Sequence, residues 1–199
     1  MVTTSVCSVT PSIPPRAARL KRALDSIVNQ TRKVDQISVY IDHEGRGAGW
    51  TRHQALLAAR TEWVAFLDDD DMWMPHHIAH CLDHAEKTGA DLVFPWFTVN
   101  GGVDPFPQHF GKVWDPENPT HTTITTLVRT EAALAVGGFD DGAPDGWEDG
   151  NVAGEDWRFI LRLRDAGYSI SHLPERLWVW NHHSQNLSGR SWKALPVRP

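Results

Sequence analysis

Four consecutive aspartates, Asp68 to Asp71, directly follow an apolar segment, Trp63-Val64-Ala65-Phe66-Leu67. Side chains alternate between faces along an extended chain, so Asp68 and Asp70 are expected to point the same way. Two carboxylates on one face repel each other unless a cation lies near them. Carboxylate oxygens suit Mg²⁺ or Mn²⁺, especially where a diphosphate completes the coordination shell. The run therefore predicts a divalent-metal site, and the alternative is that Asp70 or Asp71 caps a helix beginning at Pro75.

A second acidic centre lies far along the chain, where Glu155 and Asp156 precede an amphipathic segment that carries Phe159, Ile160 and Leu163 on one side. A carboxylate at the start of a helix is held rigidly and can act as a general base. Simple capping of the helix by Asp156 is the alternative.

These residues have to be positioned by the elements around them. The predicted strands are 5–9, 36–41, 63–67, 91–97, 122–128, 169–173 and 177–180. The predicted helices are 14–28, 52–60 with Thr51 as its cap, 75–88, 130–136 and 158–166. Strands that alternate with helices indicate a doubly wound α/β sheet, whose sites lie at the carboxyl ends of the strands.

The composition of the chain limits its possible partners, its cellular location and its number of domains. The 199 residues carry a net charge of -6, which leaves no broad basic surface for duplex nucleic acid. The two cysteines, Cys7 and Cys81, fall in apolar segments and are predicted to be buried free thiols. No signal peptide or membrane-spanning run is apparent, so we expect a cytoplasmic protein with no membrane partner. Without a linker or an internal repeat, a single domain over 1–199 is expected.

Three motifs together resemble the family 2 glycosyltransferases of the GT-A fold. They are the segment 49–56, which contains Arg52, the strand that ends in Leu67-Asp68-Asp69-Asp70-Asp71, and the turn Gly137-Gly138-Phe139-Asp140. The resemblance extends from about Ser5 to Ser188. It implies a mostly parallel sheet with a nucleotide-binding half at 1–98 and an acceptor-binding half at 99–199. It also implies transfer of a sugar, with inversion, from a nucleoside-diphosphate sugar to an acceptor hydroxyl, using Mn²⁺ or Mg²⁺.

The resemblance assigns a role to individual residues. Asp156 matches the catalytic base, and Asp70 matches the metal ligand, with His183 as a further ligand. Donor contacts are assigned to Thr10, Asp42, Arg52, Asp68 and Asp69. Glu155 and Trp147 are expected at the acceptor. The alternative for His183 is an exposed histidine on a tail.

The chain departs from the family pattern at two places and leaves some choices open. Asp42-His43-Glu44-Gly45 replaces the usual Asp-Asp-Gly-Ser/Thr, and His53 replaces the asparagine that usually follows Arg52. The donor is of the UDP or GDP type, and the acceptor is a glycan, a protein, a small molecule or a modified nucleic-acid base. Two other functions compete: metal-dependent hydrolysis or nucleotidyl transfer, and non-catalytic binding of a nucleotide sugar or glycan.

Overall fold

The computed structural model describes residues 4–119, 122–139 and 154–183. Within them, seven strands form one sheet in the order β2-β1-β3-β6-β5-β7-β4. The strands are β1 Val6–Ser12, β2 Gln36–Ile41, β3 Trp63–Phe66, β4 Met72–Trp73, β5 Leu92–Asn100, β6 Leu127–Arg129 and β7 Ile170–Asn181. The helices are α1 Ala17–Val28, α2 Ala48–Leu57, α3 His77–Thr88, α4 Thr130–Ala135 and α5 Glu155–Asp165. Short 3-10 helices span Pro14–Arg16 and Pro107–His109.

The sheet is mixed. Strand β1 pairs in parallel with both β2 and β3, and β5 pairs in parallel with β7. Strand β6 runs antiparallel to β3 and β5, and β4 runs antiparallel to β7. Strands and helices alternate through the first half of the chain, which confirms the predicted α/β class.

Strand β3 lies inside the sheet and ends at the aspartates. Its residues, and Leu67 after them, are all buried, as the continuous apolar pattern predicts for a strand covered on both faces. Because β1, β2 and β3 are parallel, their carboxyl ends meet at one edge. Ser12, Asp42 and Asp68 follow or end these three strands, so the fold places them along that edge.

Helix α5 is packed against β3 by three aromatic rings. The ring centroids of Phe66 and Phe159 lie 6.0 Å apart, and Phe139 lies 5.2 Å from Phe66 and 4.4 Å from Phe159. Phe159 is completely buried. This cluster fixes the helix that carries Glu155 and Asp156 beside the strand that carries the aspartates.

Two predicted helix starts were wrong. Helix α2 begins at Ala48 rather than at residue 52, because Gly47 adopts a left-handed φ of 101° and serves as the N-cap. Thr51 does not cap the helix, and its hydroxyl donates to the Gly47 carbonyl instead. Helix α5 begins at Glu155 rather than at residue 158, so Asp156 lies in its first turn and Gly154 is the N-cap.

Several predicted strand boundaries were also wrong. Strand β1 continues to Ser12, because Pro11 and Ser12 remain in register with β2. The predicted strand 122–128 contributes only β6, and 169–180 forms one strand, β7, because a shift in the pairing register with β5 absorbs the irregularity near Pro95. The very short strand β4 was not predicted, and it pairs directly after the aspartate run.

Both cysteines are buried and free, as predicted. Burial raises the pKa of the Cys7 thiol to about 12, so this thiol is unreactive at neutral pH. Among the described residues, none of the helices has the length and apolar character needed to span a bilayer.

We expect Phe159→Ala to lower the free energy of unfolding by about 3–5 kcal/mol, because it empties the centre of the aromatic cluster. Urea unfolding measures this change. The control is Leu134→Ala in α4, a residue that is 40% exposed, for which the loss should stay below about 1 kcal/mol. Equal losses for the two variants would contradict the packing described here.

Candidate functional site

The aspartates after β3 form a compact group of oxygen ligands. Asp68, Asp70 and Asp71 each offer a carboxylate oxygen, and these oxygens all lie within 4.8 Å of one another. Asp70 and Asp71 are buried, and Asp68 is partly exposed. None of the aspartates caps α3, whose N-cap is His76, so the capping alternative for the run does not hold.

The end of β7 holds the aspartate backbone in place. The Asn181 backbone N–H donates to Oδ1 of Asp71 at 2.8 Å, and the Asn181 side-chain amide donates to the Asp70 carbonyl at 2.7 Å. Asn100 in turn donates to the Asn181 side-chain oxygen at 2.9 Å. Two residues from distant parts of the chain thus fix the turn that carries the carboxylates.

Arg16 neutralises part of the group from the opposite side. Its Nη1 lies 2.9 Å from Oδ1 of Asp69 and 3.0 Å from Oδ2 of Asp70. The Ser12 hydroxyl donates to Oδ2 of Asp69 at 2.7 Å. Asp69 therefore faces the end of β1 and the short 3-10 helix that follows it. Asp70 contacts Arg16 and also belongs to the group of oxygen ligands formed with Asp68 and Asp71.

His183 lies at the same aspartate. Its Nε2 is 3.2 Å from Oδ2 of Asp70. Burial, together with the nearby charges of Arg19 and Arg16, lowers the pKa of His183. A neutral imidazole can serve as a metal ligand.

Crowding of the carboxylates makes their ionised forms unfavourable. Burial raises the pKa of Asp69 to about 6, although Arg16 and Ser12 oppose the shift. Burial also raises the pKa of Asp70, and it raises that of Asp71 well above its ordinary value with help from Asp70 and Asp68. A divalent cation among these oxygens would offset the repulsion. The donor set of three carboxylates and one imidazole therefore fits Mn²⁺ or Mg²⁺.

Arg52 connects the aspartates to the second acidic centre. It is only 3% exposed, with Nη2 at 2.8 Å from Oδ1 of Asp68 and Nη1 at 3.1 Å from Oε1 of Glu155. Its guanidinium also lies over the ring of Phe139, 5.1 Å from the centroid. One buried cation thus joins the end of β3 to the start of α5.

Asp156 is adjacent to this ion pair and is chemically suited to accept a proton. Burial and the charge of Glu155 raise the pKa of Asp156 to about 6, although Arg52 opposes the shift. Its Oδ1 accepts the backbone N–H of Trp157 at 2.7 Å. A Cβ on Gly154 would lie 2.8 Å from the same oxygen, so a larger residue there would displace the Asp156 carboxylate.

Two of the predicted donor residues lie elsewhere along the same edge. The Thr10 hydroxyl is buried and has no hydrogen-bond partner among the described residues. Asp42 is buried, and its carboxylate accepts the backbone N–H groups of Glu44, Gly45 and Gly47 at 2.9, 2.6 and 3.1 Å, so it shapes the loop after β2. Trp147 lies outside the described residues.

Sequence reasoning missed four residues that the structure brings to the site. Asp71 belongs to the predicted run but was not chosen as a ligand. Arg16 lies within the predicted helix 14–28 and was not chosen as a site residue, whereas the structure places it in the short 3-10 helix after β1. Ser12 and Asn181 carry no local signal, because their contacts join segments far apart in sequence.

Residues 19–139 match the model of glycosyl transferase family 2. The succinoglycan biosynthesis protein ExoW of Rhizobium meliloti (strain 1021) is 37% identical over 92 residues, which are 45% of this chain and 26% of ExoW. The chain thus spans about a quarter of the curated relative that it matches.

Solved structures of S. aureus TarS share the fold. TarS 1-349 in complex with UDP-GlcNAc superposes with a TM-score of 0.74 at 14% identity, covering 98% of this chain and 62% of that one. The complex with UDP gives a TM-score of 0.71 at 14% identity, covering 92% of this chain and 62% of that one. The predicted GT-A fold is confirmed.

We expect Arg52→Met to lower the free energy of unfolding by roughly 2–3 kcal/mol, because Asp68 and Glu155 lose their shared cation. The loss is smaller than for a fully buried pair, since the Asp68 side chain is 32% exposed. Urea unfolding at pH 7 measures it. Arg60→Met, which removes an exposed arginine just beyond the same helix, should change stability little. A wild-type stability for Arg52→Met would contradict the bridging role.

Proposed function

The chain belongs to glycosyl transferase family 2, and from that premise we propose that it transfers a sugar from a nucleotide-sugar donor to an acceptor hydroxyl. One observation carries the proposal: a group of metal-binding carboxylates and a carboxylate suited to act as a base are held together by Arg52. Asp68 belongs to the first group, and Glu155 is the neighbour of the base Asp156. Transfer at an anomeric carbon needs both groups, one at the leaving diphosphate and one at the incoming hydroxyl.

The metal-binding side of the site is assigned to Asp70, with Asp68, Asp71 and His183 near enough to contribute. A divalent cation held there would stabilise the negative charge on a departing nucleoside diphosphate. The imidazole of His183 would favour Mn²⁺ somewhat over Mg²⁺, because Mg²⁺ prefers oxygen ligands and accepts nitrogen less readily. Thr10 and Asp42 are assigned to the nucleoside, since they lie along the same edge of the sheet.

Arg52 and Glu155 are assigned a positioning role. Both terminal nitrogens of Arg52 already contact carboxylates, so its contribution is to hold Asp68 and Glu155 rather than to bind the donor directly. Burial and, after it, the charge of Glu155 raise the pKa of Asp156 to about 6, so the base is ionised at neutral pH. Contacts of Glu155 and Trp147 with the acceptor stay predictions.

Asp156 accepts the proton of the acceptor hydroxyl as the oxygen attacks the anomeric carbon. The attack comes from the face opposite the leaving diphosphate, so the configuration of that carbon is inverted. A hydrolase using the same residues would direct water to this carbon and release free sugar. Identification of the product as a glycosylated acceptor or as free sugar separates the two reactions.

The donor nucleotide can be identified by thermal shift. UDP is the first candidate, because TarS of the same fold was solved with UDP-GlcNAc, and GDP is the second. At about 100 times its dissociation constant, the correct diphosphate with Mn²⁺ should raise the melting temperature by roughly 5–10 °C. With EDTA, or in Asp70→Asn, the shift should fall to a small fraction of this value. An equal shift with and without metal would contradict the metal site.

Substitution of Asp156 should lower the catalytic rate and leave the affinity for the donor nearly unchanged. Asp156→Asn should lower kcat by about 10²–10⁴-fold while the donor dissociation constant changes by less than about threefold, because the amide cannot accept the proton. Asp165→Asn, at the far end of the same helix, is the control. In the wild type, kcat/KM should rise with pH and level off above about 6, as Asp156 ionises. Parallel losses of binding and rate in Asp156→Asn would argue against the base.

A further inference from the structure

We propose that Arg16 is a resident counter-ion: it holds Asp70 in the donor-free protein and transfers to the diphosphate when the donor and its metal bind. The inference rests on the proposed function and adds a residue that couples metal binding to nucleotide binding. Its consequence is that the divalent ion alone binds weakly, and that ion and diphosphate bind together.

The first observation is that a cation already contacts the carboxylate assigned to the metal. Nη1 of Arg16 lies 3.0 Å from Oδ2 of Asp70, and Nε2 of His183 lies 3.2 Å from the same atom. The Arg16 side chain is 11% exposed, so water screens this contact only partly. A divalent ion bound to Asp70 would place a second cation on the same carboxylate, and the ion and Arg16 would repel each other.

The second observation is that Arg16 has a separate anchor. The same Nη1 donates to Oδ1 of Asp69 at 2.9 Å, and the Ser12 hydroxyl holds the other oxygen of Asp69 at 2.7 Å. Arg16 can therefore release Asp70 while it remains attached to Asp69. A small movement of the guanidinium is sufficient, and no buried carboxylate is left without a partner.

The third observation is that the guanidinium of Arg16, once it leaves Asp70, is suited to bind a diphosphate. A guanidinium carries five N–H donors in a planar fork that matches phosphate oxygens. Arg16 ends the 3-10 helix after β1, and Arg19 follows it in the first turn of α1. A diphosphate at the metal would arrive beside these arginines. The diphosphate would then replace Asp70 as the negatively charged partner of Arg16, because Asp70 would be bound to the metal ion.

Mutual dependence of the two ligands follows. If the diphosphate removes a competitor of the metal, it strengthens metal binding, and by linkage the metal strengthens diphosphate binding by the same factor. Loss of Arg16 should therefore have two opposite effects. Binding of the metal alone should become tighter, and the additional effect of the nucleotide should shrink to the part that comes from direct contact between the diphosphate and the metal.

The experiment measures free Mn²⁺ by electron paramagnetic resonance during titration, without nucleotide and with the diphosphate that gives the larger thermal shift, UDP or GDP. In the wild type, the nucleotide should tighten Mn²⁺ binding by about tenfold or more. In Arg16→Met, Mn²⁺ alone should bind about tenfold more tightly, and the nucleotide effect should be about tenfold smaller than in the wild type. Arg22→Met, an exposed position on α1, is the matched control for loss of charge and should retain the wild-type coupling.

The outcomes distinguish a wrong role for Arg16 from a wrong metal site. Full coupling in Arg16→Met, or a gain in Mn²⁺ affinity of the same size in Arg22→Met, overturns the role of Arg16 and leaves the proposed function intact. Absence of Mn²⁺ binding by the wild type, with or without nucleotide, overturns the metal site and this inference together. If Arg16→Met does not fold, Arg16→Gln keeps a hydrogen-bond donor for Asp69 without the charge, and the same two affinities apply.

Discussion

Crowding of carboxylates at the end of a buried strand is the constraint on which the site depends. Asp68 to Asp71 emerge from β3, and the start of α5 brings Glu155 and Asp156 to the same region through Arg52. Such a group is unfavourable unless cations and N–H donors oppose the repulsion. Two arginines do so from different sides: Arg16 at Asp69 and Asp70, and Arg52 at Asp68 and Glu155.

Contacts between residues far apart in sequence hold the two acidic segments in place. The Asp70 carbonyl and the Asp71 carboxylate both accept hydrogen bonds from Asn181 at the end of β7, more than a hundred residues later in the chain. The rings of Phe66, Phe139 and Phe159 hold α5 against β3. The acidic groups therefore approach one another because the core underneath fixes their separation.

Local sequence patterns predicted the parts of the fold that depend on local physics. Strand β2 has the predicted bounds, and the apolar segment before the aspartates is the buried strand β3. The starts of α2 and α5 were placed three or four residues too late, because the glycines before them were interpreted as loop rather than as N-caps. Asp70 and Asp156 were chosen by motif. The contacts of Arg16 and Asn181 could not be predicted, since each joins residues that only the tertiary fold brings together.

The groups around Asp70 differ from those around Asp156, and this difference suits the two carboxylates to different chemistry. Asp70 and Asp156 both have a raised pKa, and burial is the largest cause for each. Asp70 is surrounded by further carboxylates and an imidazole, so a bound divalent ion would restore its ionised form. Glu155 lies beside Asp156, and the favourable charge of Arg52 is already shared with that glutamate and with Asp68. Burial and the charge of Glu155 raise the pKa of Asp156 to about 6, which suits a general base, whereas a bound divalent ion would keep the aspartates after β3 ionised.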